Sequence, residues 1–399
     1  MKTIVFISNT CSNDYYEKLK LIKYAEKISP SQKYFHMLIE GLSNIDDVNV
    51  ECISMRSIDK TNCDLSKLNP LFEVEKDIKF HYIPVINKKI IKNINSFFQG
   101  YVYTKKIINK LSNDDVFIIC DPLSYDLSLG AIFASNNINK CAIITDLPYY
   151  MAEIGKNKSV SNIKQKIRIK LMDYAINKFN SFCFLTESMN EINKHNKPHI
   201  VIEGMVPNTI DTTSIYTSNN IVLYAGGLYE KFGIINLVEA AKLVSIKKFE
   251  LHLYGEGDLV NYIKKIEVDH PNIKYKGVLS LDEILKEEKK ARLLINPRPT
   301  TEEFTEYSFP SKTLEYMSTG RPVLTSKLKG IPSEYFKYLY TLESETINGI
   351  KELIEYVFSL PCEEVDNKAD KALEFVINKK NNRVQAKRLW KFLIENSKK

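Results

Sequence analysis

The 399-residue chain has no apolar stretch approaching the roughly 20 residues that a membrane-spanning helix requires. It has a single tryptophan, and its 14 glycines and 14 prolines are too few and too scattered for a collagen-like or low-complexity chain. The 7 cysteines (Cys11, Cys52, Cys63, Cys120, Cys141, Cys183 and Cys362) are odd in number, and no two stand as C-x-x-C. That argues against a disulfide framework, a zinc ribbon or a dithiol redox motif. Cys120, Cys141 and Cys183 fall inside apolar runs and read as small buried hydrophobes of a reducing compartment. The opening "MKTIVFISNT" is too short and too weakly charged for a secretory signal and reads as a first buried strand. A cytoplasmic protein is therefore expected, with attachment to the inner face of the cell membrane left open. No Ser-His-Asp spacing, paired acids or D-x-D motif can be defended, so no metal site is assigned.

What is present is alternation. Short apolar runs, "TIVFIS", "VNVECIS", "FHYIPV", "DVFIIC", "CAIITDL", "SFCFLTE" and "HIVIEG", are mostly separated by helical patterns. The rhythm restarts at "NIVLYAGGL" and continues through "FELHLYGEG", "NIKYKGV", "ARLLINPRP", "RPVLTS" and "YLYTLE". Strand–helix alternation of this kind predicts parallel sheets covered on both faces, here in two tandem Rossmann-like α/β domains facing a cleft. We expect an acceptor-binding domain over residues 1–205 and a donor-binding domain over 206–375. The boundary falls in the polar stretch 206–220, and residues 376–399 form a helix returning to the first domain. Val384, Leu389, Trp390 and Leu393 are the expected buried stripe of that helix.

The net charge of +7 is uneven. Lys88, Lys89, Lys92, Lys105, Lys106 and Lys110 occupy residues 88–110 with no acid among them. Lys156, Lys158, Lys164, Lys166, Arg168, Lys170 and Lys178 face only Asp173 across residues 156–178. Both stretches interleave apolar residues, among them Ile91, Phe97, Phe98, Tyr101, Ile163, Ile167 and Leu171. Such segments fit helices lying on an anionic membrane, or equally the solvated faces of a lysine-rich protein. No nucleic-acid-binding module is recognisable, so nucleic acid is not an expected partner.

Chemistry concentrates in the second half. In "EEFTEYSFPSKTLEYMSTGRPVL", Ser311 is placed to cap a helix over residues 312–319, and Gly320 to end it. The helix start and Lys312 invite an anion, and Glu315, one turn on, suits paired hydroxyls. The plainer alternative is a Lys–Glu pair on a solvated helix. "LYAGGLYEKFG" ends a strand at Gly226 and Gly227, where a backbone can approach a ligand, or merely turn. "LYGEGDL" repeats this at Gly255 without the third glycine of a dinucleotide fingerprint. "NPRP" puts Arg298 at a strand's carboxyl end, suited to phosphate or to a salt bridge. All four features are strand ends or helix starts of one domain and should converge on one edge.

These segments resemble the GT-B fold glycosyltransferases, specifically glycosyltransferase family 4 of the bacterial polysaccharide-assembly type. "SFPSKTLEYMSTGRPVL" resembles the donor-site segment, and "LYAGGLYEKFGIINLVEAAKLV" the first strand and helix of the donor domain. "FELHLYGEGDL" and "NIKYKGVLSLDEILKEEKKARLLINPRP" continue in register. "SFCFLTESMNE" and "VIEGMV" resemble the end of the acceptor domain. The resemblance implies a retaining transfer from a nucleotide diphosphate sugar, UDP by default, to a glycan or lipid-linked saccharide. It implies no cofactor, no required metal and no protein nucleophile. Glu315 matches the second of the family's two spaced glutamates, while Tyr307 stands at the first, with Glu306 beside it. The family's Arg and Lys after the first donor strand are Gly227 and Phe232 here, with Lys231 adjacent. Arg298 and Lys312 are expected to take over the diphosphate clamp, with Lys231 as a third member. Tyr307, Ser308, Phe309, Ser311 and Thr313 complete the expected donor segment. Asn9, Thr10 and Asp146 are expected on the acceptor side, Asp146 near the family's sugar-contacting His. The departures at Tyr307, Gly227 and Phe232 keep open a second reading, a subunit that binds a saccharide or partner without turnover.

Overall fold

The computed structural model describes residues 1–21, 30–56, 65–122, 124–147, 170–171, 173–210 and 219–397. Cys63, the polar linker at 211–218 and the basic stretch at 156–169 lie outside the described residues. The chain divides into two compact units, one of Met1–Met205 with Asn382–Lys399, the other of Val206–Asn381.

The first unit runs β1 (Lys2–Ser8), α1 (Asn13–Leu21), α2 (Pro30–Ser43), β2 (Val48–Ser54), β3 (Lys67–Leu68), β4 (Leu71–Glu75), β5 (Ile78–Tyr82) and β6 (Val85–Ile86). It continues with α3 (Lys89–Ile108), β7 (Val116–Cys120), α4 (Tyr125–Ala134), β8 (Asn139–Ile144), β9 (Ser181–Phe184) and β10 (His199–Val201). Its main sheet has the order β10-β9-β8-β7-β1-β2-β5-β4. β7, with all five residues of "VFIIC" buried, is the kind of continuous apolar strand that a sheet covered on both faces selects. One expectation is corrected. The sheet is not parallel throughout, because β4 pairs antiparallel with β5 from Leu71↔Tyr82 to Glu75↔Ile78. The six residues from Asn69 to Val74 show no inward run. Leu71, Phe72 and Val74 stay exposed, so the strand is set by its edge ladder instead of by burial.

The second unit runs β11 (Asn220–Ala225), α5 (Ile234–Leu243), β12 (Phe249–Tyr254), α6 (Val260–Asp269), β13 (Ile273–Gly277), α7 (Leu281–Lys290) and β14 (Leu293–Asn296). Then come α8 (Ser311–Met317), β15 (Val323–Ser326), β16 (Tyr340–Leu342), α9 (Ile347–Ser359) and α10 (Cys362–Lys379). Its sheet has the order β13-β12-β11-β14-β15-β16, parallel throughout. Period-2 alternation is visible on β11: Val222 and Tyr224 enter one core cluster, Leu223 and Ala225 the other. The winding direction reverses between β11 and β14. Just outside the carboxyl ends of such strands, sheets of this order hold their ligands.

α11 (Asn382–Glu395) packs on α2 within the first unit. Leu389 and Leu393 are buried as expected, and Trp390 is half-buried with its ring 5.1 Å from that of Phe117. Val384 is corrected to a half-buried margin position, because Gln385 and Ala386 take the inner face.

α3 and α4 cross closely enough that a Cβ on Gly130 would lie 2.0 Å from the Phe97 carbonyl oxygen. Gly130→Val should therefore destabilise the protein by about 1–3 kcal/mol, through forced separation of the two helices. The urea-unfolding midpoint checks this.

Candidate functional site

The strand ends of the second unit are tied to one another by backbone contacts. The Gly226 N–H donates to the Tyr254 carbonyl at 3.0 Å, and Leu228 N–H to the Glu256 carbonyl at 2.8 Å. Gly255 has φ +131, and a Cβ there would lie 1.8 Å from the Gly226 oxygen. The expected close approach at Gly226 and Gly255 thus exists, but it is backbone against backbone within the protein. Gly227 packs similarly, under the Phe232 and Tyr229 rings.

α8 is docked on this edge by Tyr316. Its hydroxyl accepts the Ala225 N–H at 2.8 Å and donates to the Ala225 carbonyl at 3.2 Å. Burial of this phenol pushes its pKa well up, so it stays protonated and can do both. Leu314 and Met317 anchor the same helix in the core. The β11 end, the β12 end and α8 are therefore brought together, as their positions in the sequence suggested.

Within α8 several expectations are corrected. The helix begins at Ser311, and Pro310 occupies the cap position, so Ser311 is an exposed first-turn residue. The Thr313 N–H is used by the Pro310 carbonyl at 2.8 Å, and the Thr313 side chain is fully buried. Phe309 packs into the core with its ring 5.7 Å from that of Tyr335. Neither the Thr313 nor the Phe309 side chain faces a ligand. Glu306 pairs with Lys329 at 2.9 Å, and Tyr307 and Ser308 are half-buried on the approach to the helix.

Lys312 is not an uncommitted cation. Its ammonium lies 2.7 Å from Glu315 and 3.7 Å from Glu288, a residue of α7 that is fully buried. Burial alone would lower the Lys312 pKa, but the two carboxylates outweigh it and raise it. Glu315 and Glu288 more than balance Lys312, so no net positive charge remains at that point. Glu288 was missed in the sequence because it sits in the charged run "LKEEKKAR". Its spacing of four from buried Ile284 is the signal that places it on the inner face.

The net positive charge lies instead at Arg298, just past β14. Arg298 is half-buried and, among the described residues, has neither a carboxylate within salt-bridge distance nor a hydrogen-bond partner. Its guanidinium sits 4.6 Å from the Phe232 ring centroid and 5.8 Å from that of Phe304. Exposed Lys231 lies 5.3 Å from the same Phe232 ring and 5.8 Å from Phe304. Burial lowers the Arg298 pKa from its usual value, which is the cost of holding the charge without an acid. Two cations share one aromatic platform at the switch point of the sheet, an arrangement with the charge and the donors that an anion requires.

In the first unit, Asp146 follows β8. It is half-buried and, among the described residues, has no hydrogen-bond or ion-pair partner, and burial raises its pKa. Thr10 is corrected. It is buried, its hydroxyl directed to the Gln32 carbonyl at 3.4 Å, and its own carbonyl accepts from Ser54. Asn9 is half-buried, with its carbonyl accepting from Gln32 at 3.0 Å.

Comparison with known proteins follows this geometry. Residues 219–355, the segment carrying β11 to α9, match the family model described as Glycosyl transferases group 1. No curated protein sequence matches the chain. Among solved structures, the sucrose-phosphate synthase of Thermosynechococcus elongatus is 13% identical with a TM-score of 0.66, covering 100% of both chains. A variant of S. aureus TarM, in complex with Fondaparinux, alpha-GlcNAc-glycerol and UDP, is 15% identical with a TM-score of 0.63, covering 98% of this chain and 100% of its own. The lipopolysaccharide outer core galactosyltransferase WaaB is 14% identical with a TM-score of 0.64, covering 99% of this chain and 100% of its own. Identities this low establish the fold: the chain shares the GT-B class of two Rossmann-like domains with these structures.

Two measurements test the site's construction. Tyr316→Phe should cost about 1–3 kcal/mol in urea unfolding, because the buried Ala225 N–H loses its acceptor. Asp146→Asn should raise stability at pH 7, where the folded state carries a charge that burial disfavours. Because the folded pKa lies above the unfolded one, that gain should shrink as pH falls through the folded pKa. It should vanish below about 3.8, where both states are protonated.

Proposed function

We propose that the protein is a glycosyltransferase that moves a sugar from a nucleoside diphosphate sugar to a glycan or lipid-linked saccharide acceptor. The observation that carries this is Arg298: a half-buried guanidinium without an acid partner among the described residues, at the switch point of the donor-type unit. Leaving such a charge uncompensated costs stability on the order of a few kcal/mol, and a diphosphate would restore the balance. The group 1 family match covers this unit, and the TarM structure was solved with UDP, which supports UDP as the first donor base to test.

As the glycosidic bond breaks, negative charge grows on the departing diphosphate. Arg298, with its fork held flat on Phe232, would meet that charge bidentately, and Lys231 would add a second, mobile cation. Lys312 and Glu315 act as a preformed pair: Glu315 accepts from the ribose hydroxyls, while Lys312, held by Glu288 from beneath, turns its remaining N–H groups toward the diphosphate. Asp146 is assigned to acceptor binding. We assign no protein nucleophile and no metal. The family 4 resemblance supports retention of configuration, with the diphosphate itself assisting deprotonation of the acceptor, and assembly of surface polysaccharide as the setting we propose.

The engagement of Lys312 by two carboxylates favours one alternative, a subunit that binds a saccharide or partner protein without turnover. Titration calorimetry with UDP, GDP, dTDP and ADP, followed by donor hydrolysis, separates the two. Transfer predicts binding of one nucleotide together with slow release of the sugar. Arg298→Ala should weaken nucleotide binding about tenfold to a hundredfold. Unchanged affinity and turnover in Arg298→Ala would remove the assigned clamp.

A further inference from the structure

We infer that the outer face of α3 is a docking surface for an anionic lipid bilayer. Ile91, Ile94, Phe98, Tyr101 and Val102 recur at the three- and four-residue spacing of a single helical stripe and are between 39% and 58% exposed. The opposite face of the helix is already committed: Ser96, Thr104 and Ile107 are buried, and Gly100 and Gly130 let α3 lie directly on α4. A helix on the surface of a water-soluble domain turns a polar stripe outward. α3 instead turns five large apolar side chains outward on one stripe, and together they form a patch, unlike scattered surface hydrophobes.

The patch extends beyond α3. The Phe98 ring lies 5.6 Å from Phe97, Phe97 lies 5.8 Å from Phe133, and Phe133 lies 6.1 Å from Tyr174. Phe133, Leu171 and Tyr174 are themselves exposed, and the Lys178 ammonium sits 5.0 Å from the Tyr174 ring. This aromatic row joins α3 to the described end of the second basic stretch. Lys105, Lys106 and Lys110 follow the stripe along the chain, Lys178 stands at the far end of the aromatic row, and residues 88–110 hold no acid.

Charge decides the occupant. A second copy of this face would bring the same lysines into opposition. A nucleic acid would satisfy the lysines and leave the aliphatic stripe wet. An anionic leaflet takes both: the apolar side chains enter the acyl boundary, and the lysine stems run back along them to the headgroups. The inference concerns the first unit alone and is read without turnover, so it stands or falls apart from the transferase proposal.

Flotation of the full chain tests it, with vesicles of phosphatidylglycerol and phosphatidylcholine in equal parts, and with phosphatidylcholine alone, at low and high salt. The protein should float with the mixed vesicles at low salt, and far less with phosphatidylcholine or at high salt. Ile94→Ser with Phe98→Ser should reduce binding about tenfold or more. Lys105→Gln with Lys106→Gln should erase about tenfold of the preference for anionic lipid. Ile94, Phe98 and Lys106 are exposed and Lys105 is half-buried, so both variants should keep a urea midpoint close to the wild type's. The inference is overturned if the wild-type chain stays with the soluble fraction at low salt, or if the Ile94/Phe98 variant floats unchanged. It is equally overturned if size-exclusion chromatography shows a dimer that the Phe98 change dissolves, because the face would then be covered by a second copy.

Discussion

A single phenol holds the second unit's strand ends in register with the helix beside them. The Tyr316 hydroxyl closes on both the N–H and the carbonyl of Ala225, the last residue of the central strand. A helix of seven residues cannot hold itself in water, since nucleation alone costs more than so short a ladder returns. α8 persists because Leu314, Tyr316 and Met317 are buried beneath it. Once Tyr316 is fixed, the position of Lys312, four residues earlier and one turn up, is fixed with it. The backbone contact between Gly226 and Gly255 supplies the second constraint, locking the loop after β11 to the loop after β12. A ligand arriving at this edge would meet groups that need no reorganisation, which is the condition under which electrostatic stabilisation is largest.

The distribution of charge at that edge departs from the simplest expectation in an instructive way. Lys312 looks from the sequence like the cation of the site, yet two carboxylates surround it, one of them fully buried. Arg298 looks like a candidate for an ordinary salt bridge, yet it rests on Phe232 and Phe304 with no acid beside it among the described residues. Phe232 stands where the resembling family carries a lysine, and the Arg298 guanidinium lies over its ring. On the proposed reading, Arg298 supplies the charge lost at that position from the end of the neighbouring strand. A pairwise exchange of this kind depends on adjacency of β11 and β14, which only the sheet order supplies.

The strands of both sheets were legible because burial on two faces demands runs such as "VFIIC" and "IVLYA", which no other element tolerates at that length. β4 was not, because an edge strand is held by its ladder and can leave Phe72 and Val74 in water. Convergence of the β11 end, the β12 end and α8 was legible from their places after successive strands. The partners of Lys312 were only half legible: the spacing to Glu315 is local, whereas Glu288 arrives from α7, on the far side of β14 in the chain. Thr313 was assigned to the ligand because a short helix offers too few turns for its periodicity to show which face is buried, and Phe309 because the loop before that helix has no periodicity to read. Thr10 failed for a related reason, since a polar residue after a strand reads as loop lining until the hydrogen bonds that absorb it are known.

Arg298, Asp146 and the outer stripe of α3 share a physical character that separates them from the rest of the surface. Each carries a free-energy cost that the isolated chain does not offset: a guanidinium without an acid, a carboxylate raised in pKa by burial alone, and apolar side chains held in water. Elsewhere the chain offsets such costs locally. Lys140, although buried, donates to the carbonyls of Ser135 and Ile138, and Arg56, also buried, donates to those of Asn69 and Ile83. Arg56 also donates to the Tyr15 hydroxyl and lies over the Tyr82 ring, so its charge is met by several neighbours at once. At Arg298 the described residues supply two aromatic rings and neither an acid nor a hydrogen-bond acceptor. A half-buried charge with no acid beside it among the described residues is the kind of group that a partner outside the chain would satisfy, which is why the proposed function rests on it.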